Sequence, residues 1–96
     1  MIVVMNRITV AEGREAEFEQ TFVERDRAVD QMTGFVDLQV LRPAEGRTYI
    51  VMTRWNSREA FDAWTNSEAF RAAHRKQSPG FAESRPVLEI YEVFIQ

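Results

Sequence analysis

Four side chains hold most of the chemical interest of this 96-residue sequence: Asn6, Arg25, Trp64 and His74. His74 is the only histidine, and there are no cysteines. That composition excludes disulfides, thiolate metal sites and cysteine nucleophiles. A single histidine with no positioned acid gives no credible Ser-His-Asp set. It also gives no two-histidine or His/Glu cluster for a bare zinc or non-haem iron. One neutral imidazole beside an apolar pocket is nevertheless enough to ligate a haem iron. The plainer role for His74 is an imidazole at a helix C-terminus, interacting with the dipole. Trp64, taken alone, reads as core more readily than as a cofactor platform.

Asn6 interrupts the apolar parity Ile2, Val4, Asn6, Ile8, Val10 of a predicted strand, so its amide points toward the core side. Either it bonds nearby backbone or it is aimed into a cavity; a buried amide without a partner costs about 1–3 kcal/mol. Arg25 falls within the stripe Phe18, Phe22, Val29, Met32. It snorkels or pairs with an acid, the commoner case, or it meets a ligand carboxylate at a pocket mouth.

The elements that must position these groups follow from periodicity and punctuation. Ile2 to Val10 is the first strand, Ala11-Glu12-Gly13 a turn, and Arg14 to Met32 a helix ended by Thr33-Gly34. Phe35 to Arg42 and Arg47 to Trp55 form a hairpin across Pro43-Ala44-Glu45-Gly46. The next helix is predicted to open on an Asn56/Glu59 capping box, break near Thr65-Asn66-Ser67 and resume to about Lys76. Taken as one straight helix, it would put Trp64 and His74 about 15 Å apart along the axis and about 80° apart in azimuth. Gln77 to Arg85, with Ser78-Pro79-Gly80, reads as a loop of low structural content, of the kind that covers pockets. Pro86 to Ile95 is the last strand.

The order βαββαβ, without repeats or linkers, predicts one domain over residues 1–96 of α+β, ferredoxin-like class: a four-stranded antiparallel sheet with the helices on one face. The strands carry apolar residues on both parities, in a chain too short to cover both faces, so a homodimer is expected. The net charge of −3 and the absence of a basic run argue against nucleic acid and anionic membranes as partners. No apolar run has membrane-spanning length. Met1 to Met5 has no basic leader or cleavage site, and the lack of cysteine fits a cytoplasmic location.

The run from Trp55-Asn56-Ser57 to Phe61, followed by Trp64 to His74, resembles the IsdG-type haem-degrading monooxygenases of the antibiotic-biosynthesis-monooxygenase superfamily. The likeness extends to Met52-Thr53-Arg54, the Gly34-Phe35 helix exit and Tyr91-Glu92-Val93. It implies a dimeric α/β barrel whose functional Asn, Trp and His match Asn6, Trp64 and His74. It further implies that His74 binds the haem iron and that Asn6 donates a hydrogen bond on the opposite side, where O₂ binds. Trp64 would push the porphyrin out of plane, and Phe22 and Arg25 would line the pocket, Arg25 meeting a propionate. Haem would be both cofactor and substrate, with electrons from a separate reductase. Two other readings stand beside this one: a cofactor-free monooxygenase acting on a polycyclic quinol or anthrone, and a non-catalytic haem-binding protein.

Overall fold

The computed structural model describes residues 1–77 and 80–96. Its elements are β1 (Ile2–Thr9), α1 (Glu15–Val23), a 3₁₀ turn (Ala28–Gln31), β2 (Phe35–Leu41), β3 (Thr48–Trp55), α2 (Arg58–Thr65), α3 (Glu68–Gln77) and β4 (Val87–Glu92). The strands form one sheet in the order β2-β3-β1-β4, and every neighbouring pair is antiparallel. This is the expected ferredoxin-like plan.

β1 occupies the middle of the sheet. Asn6 pairs with Val51 on β3 and Leu88 on β4. The inward parity is as expected, with Ile2, Val4 and Val10 buried. Two clusters fill the space between sheet and helices. Ile2, Val4, Val29, Trp55, Phe61 and Trp64 form one; Val10, Phe18 and Tyr49 form the other.

The expected helix from Arg14 to Met32 is not continuous; α1 ends at Val23. The Asp26 carboxylate accepts the Ala28 N–H at 3.1 Å, a side-chain turn that competes with helical bonding. Arg27 adopts φ 60°, and the chain resumes as the 3₁₀ turn. The stripe still works in two pieces, because Phe18 and Val29 are both buried.

Gly34 has φ 86°, and a Cβ built on it would lie 2.5 Å from the Ala60 Cβ. Only glycine suits both the backbone and the close approach of α2. The cap of α2 is one residue later than expected: Ser57 Oγ accepts the Ala60 N–H at 3.2 Å. The Asn56 N–H instead donates to the Gly34 carbonyl at 2.8 Å. The break between α2 and α3 lies where the sequence places it. The Asn66 amide donates to the Asp62 carbonyl at 3.0 Å, and Ser67 Oγ caps α3 by accepting the Phe70 N–H at 3.1 Å.

Two further boundaries are corrected. The last strand stops at Glu92 rather than Ile95, leaving Phe94 and Ile95 exposed. The predicted 77–85 loop begins one residue late, because α3 includes Gln77, and Ser78 and Pro79 lie outside the described residues. Its latter part is well anchored. Ala11 N–H donates to the Phe81 carbonyl at 2.8 Å, Glu83 N–H to the Thr9 carbonyl at 2.7 Å, and Val10 bridges Ala82.

Candidate functional site

A cavity of about 460 Å³ opens between the inner sheet face and the helices, within the usual size range of small-molecule sites. Asn6, Phe22, Arg25, Trp64 and His74 all line it. The five residues come from β1, α1, the turn after α1, α2 and α3, so the site requires the whole fold.

Asn6 enters from the sheet, between the inward-facing Val4 and Ile8. Among the described residues its side-chain amide makes no hydrogen bond. Asn6 is part of the cavity lining. Trp64 is 8% exposed, and its indole meets the Phe70 ring edge-on, with centroids 5.5 Å apart. It is thus both a core residue and a wall of the cavity.

Arg25 is paired with an acid and also lines the cavity. Its side chain is 16% exposed and its Nη1 pairs with Asp30 Oδ1 at 3.0 Å. Because α1 ends at Val23, Arg25 belongs to the turn and not to a helical stripe. Its position is set by the Asp30 pair and by its N–H to the Phe22 carbonyl.

His74 lies near the end of α3, exposed on one side and lining the cavity. Its Nδ1 is 3.0 Å from the Phe70 carbonyl oxygen. A carbonyl only accepts, so Nδ1 carries a proton, and in the neutral ring this leaves the lone pair on Nε2. A nitrogen in that state is ready to ligate a metal. The straight-helix geometry does not apply across the break, but Trp64 and His74 still share the cavity.

The strongest electrostatic perturbation lies outside the cavity. Glu19 on α1 accepts bonds from Arg42, at 2.9 and 2.6 Å, and from the buried Tyr49 hydroxyl. The Arg42 and Tyr49 bonds hold the Glu19 carboxyl down to about 2. Burial and the Glu19 carboxylate raise the Tyr49 hydroxyl. The cluster ties α1 to β3 and to Arg42, just past the end of β2.

Sequence reasoning missed Phe70, whose ring lies against the His74 imidazole with centroids 3.9 Å apart. The i, i+4 spacing of Phe70 and His74 was the available signal. It also missed Phe81, brought over Phe18 by the anchored 80–83 segment.

Residues 1–76 match the family described as antibiotic biosynthesis monooxygenase. A heme oxygenase (mycobilin-producing) of Mycobacterium tuberculosis is 38% identical over 95 residues, 98% of this chain and 90% of that protein. A heme oxygenase (staphylobilin-producing) of Staphylococcus haemolyticus is 34% identical over 91 residues, 92% of this chain and 86% of that one. The solved structure of the heme-degrader MhuD from Mycobacterium tuberculosis, with two hemes bound in its active site, has a TM-score of 0.83 and 37% identity. It covers 100% of this chain and 98% of its own.

Proposed function

The chain belongs to the antibiotic biosynthesis monooxygenase family, and on that footing we propose that it is a haem-degrading oxygenase. It binds haem through His74 and opens the porphyrin ring with O₂ and external electrons, releasing iron. The observation that carries this reading is one apolar cavity lined by an imidazole whose Nδ1 is bonded to a backbone carbonyl, a buried indole and an amide that has no protein partner among the described residues.

The donor set suits haem better than a bare ion. Among the described residues no three His, Cys, Asp or Glu gather as a metal site. A porphyrin supplies its own four nitrogens and needs only an axial ligand from the protein. Apolar walls suit its faces, and a guanidinium at Arg25 suits its carboxylates.

When bound, haem supplies the iron that activates O₂ and the carbon that is oxidised. The chain supplies position. His74 Nε2 would hold the iron from the helix layer. Trp64, which shares a core cluster with Phe61 and meets the Phe70 ring at 89°, would be the wall against which the porphyrin lies. Asn6 would offer its amide N–H from the sheet wall to the oxygen substrate. Arg25, now paired with Asp30, would meet a propionate, with Phe22 as a further part of the lining.

The single domain 1–96 acts as a homodimer in this reading. The outer sheet face carries Val3, Met5, Ile50 and Met52 beside the exposed Leu41, Val87 and Tyr91, and a second copy covers it. No helix among the described residues is long and apolar enough to cross a membrane. The cysteine-free chain fits the reducing cytoplasm, where a separate reductase supplies electrons.

Hemin titration tests the proposal. A Soret band of histidine-ligated haem should form, then decay with ascorbate and O₂ as iron is released. Absence of the band rejects haem binding and favours a cofactor-free oxygenase. A band that persists under reductant and O₂ rejects degradation and leaves a haem carrier.

A further inference from the structure

We infer that Phe70 is the positioning residue for His74, fixing the tautomer and ring plane of the imidazole before any ligand arrives; the functional consequence rests on His74 being the iron ligand. An exposed imidazole on a helix would sample several rotamers and both tautomers. In water it favours the proton on Nε2, the nitrogen that must be free to bind a metal. Two contacts from Phe70 oppose this. Its carbonyl accepts Nδ1–H at 3.0 Å. Its ring lies against the imidazole at a centroid distance of 3.9 Å and an interplanar angle of 36°.

Phe70 is itself held from two directions. Its ring meets the buried Trp64 at 89°. Its N–H donates to Ser67 Oγ at 3.1 Å, while the same hydroxyl donates to the Trp64 carbonyl at 2.7 Å. Ser67 therefore links the end of α2 to the start of α3, and Trp64, Phe70 and His74 form one series of ring contacts along the cavity wall. The placement of the imidazole is referred to the buried core through Phe70, although His74 itself is exposed.

The ring and the carbonyl separate by mutation, because only the ring can be removed. Phe70→Leu keeps apolar volume, a helix-forming residue and the carbonyl. Phe70→Tyr keeps the ring. The chain has one histidine, so ¹⁵N-labelled ligand-free protein gives one pair of imidazole nitrogen signals. At alkaline pH, where the ring is neutral, the natural protein should show a single Nδ1–H tautomer. Phe70→Leu should show a mixture with Nε2–H, and its hemin dissociation constant should rise about fivefold, in line with a lost aromatic contact. Phe70→Tyr should match the natural protein in both. If Phe70→Leu does not fold, judged by far-UV circular dichroism, Phe70→Met takes its place. A ring-less variant that keeps the single Nδ1–H tautomer overturns the inference, as does Phe70→Tyr behaving like Phe70→Leu. Failure of the natural protein to bind hemin rejects the proposed function instead, while the tautomer measurement still decides the role of Phe70.

Discussion

Asn6→Ala separates catalysis from architecture. The side-chain amide makes no hydrogen bond among the described residues, so truncation removes no protein–protein bond and leaves no orphaned partner. Stability should change by less than about 0.5 kcal/mol, a shift in Tm of less than about 4 °C for a domain of this size. A buried, bonded amide would instead cost about 1–3 kcal/mol. Hemin affinity and the ferric spectrum should also stay close to those of the natural protein, because the imidazole and the apolar walls are untouched. Turnover should not. A single positioned donor toward the reacting oxygen is worth about a hundredfold in rate, about 2.7 kcal/mol of barrier. The assay is decay of the Soret band under ascorbate and O₂, alongside thermal unfolding and hemin titration of the same preparation. Unfolding, loss of hemin binding or unchanged turnover would each refute the assignment of Asn6 to the reaction.

Trp64→Phe should give slower turnover and a flatter porphyrin, read from out-of-plane modes in resonance Raman; an equally distorted ring would show that the indole does not set the distortion. Gly34→Ala should lower unfolding free energy by about 2–5 kcal/mol. Left-handed backbone strain contributes about 1–2, and the 2.5 Å approach to Ala60 about 1–3 as overpacking; a loss under 1 kcal/mol in urea would show that α2 moves aside freely. Glu19 predicts an acid dependence. Its folded-state pKa, about 2, lies below the ordinary 4.5, so it contributes stability above 4.5 that is lost as pH falls toward 2. Glu19→Gln should flatten the urea midpoint across that interval, and parallel pH curves for the two proteins would exclude the contribution.

Long-period patterns were legible in the sequence, and short local competitions were not. The alternation around Asn6 correctly gave its face, since a strand offers only two. The Asn66-Ser67 punctuation correctly gave the break between α2 and α3, because both side chains bond the backbone at that point. The same chemistry at Asp26 went unread: one Asx-type bond and the φ of Arg27 end a helix whose apolar stripe continues unbroken in sequence. Asn56 and Ser57 are both good caps; Ser57 is the one used, while the Asn56 N–H bonds the Gly34 carbonyl, distant in sequence. Asn6, Arg25, Trp64 and His74 were recognisable because each breaks or closes a pattern. Phe70 was not, since a phenylalanine on a helix looks like ordinary core until its neighbour proves to be the only histidine.

The two walls of the cavity should differ in how readily they open. β1 is bonded on both sides, to β3 and β4, along most of its length, so its amides should exchange hydrogen only through global unfolding. α3 carries its imidazole near a helix end, which should open locally at smaller free energy than the sheet. Under the proposed function the two walls would then divide the work: a bulky product should leave past the helix end, while the sheet wall keeps its register for the next molecule.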